Sequence, residues 1–125
     1  MYIRQFFRRF THASNGIRYA LLCDSSFRQQ VLLGLAVLTV AFAVFFPLTI
    51  HDILFLVLAG FLILITELQN SAMEAALDRI HPEMHDNIKQ SKDMAAGSVL
   101  LAGVFLLIVV GTLAYLRLIA PLLGA

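Results

Sequence analysis

Apolar positions along this chain gather into three long runs, set between shorter stretches where charge returns. Residues 31–50 (VLLGLAVLTVAFAVFFPLTI) carry no charge and are interrupted only by Pro47 near their end. Residues 95–115 (AAGSVLLAGVFLLIVVGTLAY) are also uncharged. A helix needs about 20 apolar residues to cross a bilayer, so each run predicts a transmembrane span. The run between them, residues 53–66 (ILFLVLAGFLILIT), has only 14 residues. At about 1.5 Å rise per residue it covers about 21 Å of a hydrocarbon core about 30 Å thick. The second span is therefore expected to occupy residues 53–73 and to carry Glu67 and Asn70 below the membrane surface. His51 and Asp52 are expected to form the turn between the first two spans.

Residues 1–29 follow a different rhythm. Ile3, Phe6, Phe7 and Phe10 recur at i, i+3, i+4 and i+7, opposite Arg4, Gln5, Arg8 and Arg9. This is the pattern of a basic amphipathic helix lying in the membrane interface. Asn15-Gly16 predicts a break before a second helical piece, residues 17–28. A cleaved signal peptide is a poor reading, because the first apolar run begins 30 residues in and no small-x-small site follows it. The expected fold is an all-α membrane protein in a single domain. It has a surface helix region (1–29), three spans (31–50, 53–73, 95–115) and a helix end and loop between the last two (74–94).

Composition agrees with lipid as the solvent. Of 125 residues, 60% are hydrophobic and 14% charged, and the mean hydropathy is +0.86. A soluble domain of this size could not hide so much apolar surface. The net charge of +1 gives no case for a nucleic-acid partner. One cysteine, Cys23, excludes an intrachain disulfide and a cysteine metal cluster. Trp, a favoured interfacial anchor, is absent. Lys and Arg are distributed unevenly: five precede the first span, three lie between the second and third, and Arg117 alone follows the third. Under the positive-inside rule this places the N-terminus and residues 67–94 in the cytoplasm and the C-terminus outside.

The polar residues with chemical potential cluster at that cytoplasmic level. Glu67, Asn70, Glu74 and Asp78, spaced +3, +4 and +4, fall on one helical stripe. Glu74 and Asp78 also read as solvated residues of a helix leaving the bilayer. Glu67 does not, because the short apolar run holds it inside. Asp24 before the first span, Glu83 and His85 in the connection, and Lys92-Asp93 before the third come to the same level. Carboxylates able to hold a hard cation, with a lysine able to meet phosphate, suit phosphoryl transfer at a membrane surface. His81 and His85 have the i, i+4 spacing of zinc ligands, but Pro82 interrupts them, and a polar loop is the simpler reading. Ser98 and Ala102 place small residues on one face of the third span, a hint of close packing. Neither a Walker loop nor a protein-kinase motif is present.

At these residues the chain resembles the prokaryotic diacylglycerol kinase family, which includes undecaprenol kinases. Residues 67–80 read ELQNSAMEAALDRI, similar to E-x-x-N-[ST]-A-[IM]-E-x-x-x-D. KDMAA at 92–96 resembles the family's K-D-M/I-x-[AS], and Gly16-Ile17-Arg18 followed by DSSFRQ at 24–29 supplies a third block. The resemblance implies a homotrimer with active sites shared between subunits, using ATP and Mg²⁺ to phosphorylate diacylglycerol to phosphatidic acid. It makes Glu67 the general base and Glu74 a metal ligand. Asp24 takes the other metal position, where the family usually has the longer glutamate. Asn70, Asp78, Glu83, His85, Lys92 and Asp93 fall at nucleotide or supporting positions, and Gly16, Arg18, Phe27, Arg28 and Gln29 at lipid contacts. The block at 95–101, AAGSVLL, looks more like the undecaprenol branch.

A reading from another class is a non-catalytic three-helix scaffold or an ion or proton carrier. A carrier would want ionisable groups through the membrane depth, whereas the first and third spans have none. A scaffold has no need for Asp24, Glu74 and Lys92 at one level. The expected location is the bacterial cytoplasmic membrane.

Overall fold

The computed structural model describes residues 2–80, 83 and 85–124. Of residues 2–4 only the backbone is described, so the side chains of Ile3 and Arg4 lie outside the described residues. So do His81, Pro82 and Met84, and with them the spacing of His81 from His85 across Pro82. Four α-helices account for most of the fold: α1 (Tyr2–Cys23), α2 (Ser25–Phe45), α3 (Ile50–Ile80) and α4 (Asp86–Ala114). Among the described residues there is no strand. Three helical stretches, Ser25–Phe45, Ile50–Ile80 and Asp86–Leu123, are long and apolar enough to cross a membrane.

The expected break at Asn15-Gly16 does not occur, and α1 runs through it. The chain breaks instead at Asp24, whose extended backbone and carboxylate start a new helix: Oδ1 accepts the Phe27 N–H at 3.1 Å. Arg28 Nη1 donates to the Leu22 carbonyl at 2.8 Å, satisfying an acceptor at the end of α1. Asp24 ends one helix because it caps the next, and an aspartate N-cap is worth about 1 kcal/mol. A glycine inside a helix costs about as much, but it offers the backbone no alternative partner.

The helix that carries the first span, α2, runs over Ser25–Phe45, starting before the apolar run at 31 and ending before 50. Pro47 forces Phe46 into an extended conformation and closes α2 a few residues early. The expected His51-Asp52 turn is also corrected. Both residues lie in the first turn of α3, and the chain turns over residues 46–49. The reason is a reciprocal cap. Thr49 Oγ1 accepts the Asp52 N–H at 3.2 Å, and Asp52 Oδ2 accepts the Thr49 N–H at 2.8 Å.

α3 carries the second span and the helix end after 73 as far as Ile80; its 31 residues measure about 46 Å and outrun the hydrocarbon core. Most of the expected 74–94 connection is helical, because α4 begins at Asp86. His85 caps it, with Nδ1 accepting the Asn87 N–H at 3.3 Å. The helix of the third span runs on past 115. A π-helical turn (Tyr115–Ile119) and a 3₁₀ turn (Ala120–Leu123) extend it, and Gly124, with a φ of 74°, ends it. Pro121 sits in the first turn of that last segment, where its missing N–H is not needed.

α3 and α4 share the largest interface, and α2 packs chiefly on α3. The core joins Ala41 and Phe45 of α2, Leu56 and Ala59 of α3, and Val109 and Leu113 of α4. Leu56 and Ala59 are fully buried. All six lie in the half of the bundle near the 46–49 turn. Toward the other end apolar packing thins, and Glu67 takes a buried place on α3.

Candidate functional site

Glu67 is the one charged side chain buried among the described residues, at 4% exposure. The short apolar run argues for depth in the bilayer; the burial seen here is packing against the protein itself. No hydrogen bond or ion pair reaches its carboxylate from the described residues. One turn further along the same face, Asn70 Nδ2 donates to Glu74 Oε1 at 3.2 Å. Asn70 Oδ1 is fully buried and has no partner. Another turn on, Asp78 Oδ1 accepts from Lys92 Nζ, so the last acid of the α3 stripe is tied to α4. The +3, +4, +4 spacing thus delivers a line of polar groups on one side of α3, with α4 reaching its far end.

Two grooves flank this line. One, of about 480 Å³, runs between α3 and α4 and is lined by Gln69, Asn70, Met73, Ala95 and Ser98 among others. The other, of about 670 Å³, opens between α1 and α3, with Ala13, Gly16, Asp24, Ser71, Ala72 and Ala75 in its walls. Small residues on both helices keep this second groove open. Ser71 stands opposite Asp24, and its hydroxyl is the largest influence holding the Asp24 carboxyl below its usual pKa. Partial burial opposes it, while the Phe27 and Ser26 N–H groups and the Arg28 charge act with it. The α3 residues that face Asp24 across this groove are Leu68, Ser71, Ala72 and Ala75.

The remaining predicted residues divide. Gly16 lines the groove beside Asp24, while Arg18 and Gln29 are exposed. Phe27 is buried at 4% exposure and so packs within the protein. Glu83 and His85 are both exposed, His85 with Nδ1 engaged as the α4 cap. Asp93 is exposed, although its neighbour Lys92 turns in towards α3. Ser71 was not singled out from sequence. Its place inside the N-[ST]-A block and its i+4 spacing from Glu67 were the available signals. No three of His, Cys, Asp and Glu converge closely enough to form a metal centre by themselves among the described residues.

Fold and site together define a small polytopic membrane protein, with a polar cluster built on one end of a three-span bundle. The family profile of the prokaryotic diacylglycerol kinases matches residues 11–114, and the chain belongs to that family. A protein of Synechocystis named diacylglycerol kinase is 36% identical over 116 residues, covering 92% of this chain and 63% of its own. This chain therefore spans less than two thirds of that relative's length. The diacylglycerol kinase of Escherichia coli K12 is 36% identical over 88 residues, 70% of each chain. The undecaprenol kinase of Bacillus subtilis is 34% identical over 97 residues, 78% of this chain and 77% of its own.

Proposed function

We propose that this protein is an ATP-dependent lipid kinase of the bacterial cytoplasmic membrane, phosphorylating diacylglycerol to phosphatidic acid. The observation that carries the reading is Glu67, an acidic side chain only 4% exposed at the edge of an apolar span, with no hydrogen-bond partner among the described residues. An acidic side chain packed so far out of water without a partner ordinarily has a functional use. The lipid hydroxyl is reached from the bilayer and the nucleotide from water, and Glu67 stands at the boundary between them. Glu67 accepts the hydroxyl proton as the oxygen bonds to the γ-phosphorus, and the bond to the ADP oxygen breaks. Asn70 orients Glu74 by its amide, while its Oδ1 is buried without a partner among the described residues.

The donor chemistry fits a hard cation that arrives with the nucleotide. Glu74 is exposed, with one oxygen engaged by Asn70, while Asp24 commits one oxygen to the α2 cap. Mg²⁺ commonly takes one or two carboxylates together with substrate phosphates, so these two residues would hold it. Bound there, it would offset charge developing on the transferred group. Lys92 adds a second positive charge from α4, and Glu83, His85 and Asp93 sit at the same end for the rest of the nucleotide. Eight of the nine Lys and Arg residues lie on this side of the spans, which makes it the cytoplasmic face. The spans bury little against one another, leaving long faces for lipid and for further copies in a homotrimer.

Undecaprenol is the second acceptor, supported by the Bacillus relative's name and by the sequence at 95–101. Transfer of labelled phosphate from ATP into chloroform-extractable product, with each lipid in micelles, tests both. Diacylglycerol is expected to be the faster acceptor. Absence of labelled lipid with either would overturn the reading.

A further inference from the structure

Asp78 and Lys92 are separated by fourteen positions and sit on different helices, yet their side chains form an ion pair across the α3–α4 junction. The lysine side chain is 30% exposed and the aspartate 65%, so the stem of Lys92 packs along the seam while the ion pair itself lies at its exposed rim. Asp78 lies one turn beyond Glu74, which Asn70 holds in turn. An ammonium on a four-carbon stem explores many rotamers unless something fixes it. It also carries three donors, so one can go to Asp78 and leave two for another acceptor. A carboxylate and a phosphate repel when adjacent, and they share a site only where a cation stands between them.

From this geometry we infer that Asp78 is a positioning residue for Lys92 and makes no contact with the nucleotide itself. Asp78 places the lysine ammonium one helical turn from Glu74, with two donors free for phosphate oxygens. The inference rests on the proposed nucleotide site, and it changes the role of Asp78 within it.

A double-mutant cycle on the full chain in micelles tests it, reading both turnover and equilibrium ATP binding. Asp78→Asn is expected to lower kcat/KM for ATP about tenfold while KM for lipid stays unchanged. Asp78→Glu restores most of that loss. Lys92→Gln falls further than Asp78→Asn, and Asp78→Asn/Lys92→Gln falls no further than Lys92→Gln alone. A double variant markedly worse than Lys92→Gln would show Asp78 acting directly on the nucleotide, overturning the inference. So would an Asp78→Asn protein that loses thermal stability but keeps full kcat/KM per folded molecule. The binding arm separates the two readings. If the wild type transfers no phosphate, but Asp78→Asn weakens ATP binding only when Lys92 is present, the kinase reading falls and this one stands. If the wild type binds no ATP, both fall.

Discussion

The two ends of the helical bundle handle charge in opposite ways. At the end near the 46–49 turn, Asp52 Oδ2 accepts from Arg117 Nη2 at 2.6 Å and from the Thr49 N–H at 2.8 Å. Both of these charged side chains have partners, and the apolar core of Leu56, Ala59, Val109 and Leu113 lies alongside. At the other end, Glu67 is buried without a partner and Asn70 Oδ1 is left unpaired. Glu74 and Asp93 face outward. A charge near a membrane core can be matched internally, or kept where water and a ligand can match it. The first arrangement staples a fold. The second leaves a set of partners for a substrate to complete, which is why the chemistry is assigned to the Glu67 end.

The sharpest way to break this comparison is to neutralise Glu67. Glu67→Gln preserves shape and burial, removes the proton acceptor and should cut kcat by a factor on the order of 10²–10⁴. Equilibrium ATP binding should stay near the wild-type value. Retained turnover would mean that the unpaired carboxylate is no base. The opposite end should respond in stability alone. Asp52→Asn or Arg117→Gln leaves one half-buried charge unmatched and should cost about 1–3 kcal/mol, measured by denaturation in micelles. Activity per folded molecule should hold. The double variant, with no charge left unmatched, should be less destabilised than the sum of the two. A selective loss of lipid phosphorylation in Arg117→Gln would instead show that the two ends are not separate.

The features legible in the sequence were those set by run length and period. Three apolar runs predicted three helices long enough to span, and the four positions 67, 70, 74 and 78 predicted one polar stripe on the second of them. The helix ends were harder, because each is decided by a local side-chain cap that competes with a conspicuous turn signal. Asn15-Gly16 looks like a break, yet Asp24 wins by capping α2. His51-Asp52 looks like a turn, yet Thr49 and Asp52 form a capping box whose spacing was there to be read. Pairings between distant positions were not legible. Nothing in the period of either helix sets Asp78 against Lys92, or Asp52 against Arg117. These depend on how far α4 extends at each end, and the π-helical turn that carries Arg117 has no sequence signature.

Asp24 offers the smallest effect and the finest test, because it belongs to both kinds of end at once. Its Oδ1 caps α2 in the manner of a structural residue, while the side chain also lines the groove shared with Ser71 and Ala72 of α3. Its shorter stem, where the family usually has glutamate, suits the cap, since N-capping favours aspartate and asparagine alike. Asp24→Asn should therefore keep stability within a few tenths of a kcal/mol at neutral pH, and Asp24→Ala should lose about 1 kcal/mol. The carboxyl is held below its usual value of 3.8, so its stabilising contribution is present above that value. It is lost as pH falls through the lower folded-state pKa, and Asp24→Asn should flatten that part of the acid unfolding profile. If the side chain also reaches the cation, Asp24→Asn will raise the Mg²⁺ concentration needed for half-maximal turnover although the helix remains capped. If it only caps the helix, the Mg²⁺ requirement will not move. In that case Asp24 belongs with Asp52 among the residues that hold the fold, and Glu74 alone is left as the proposed cation ligand.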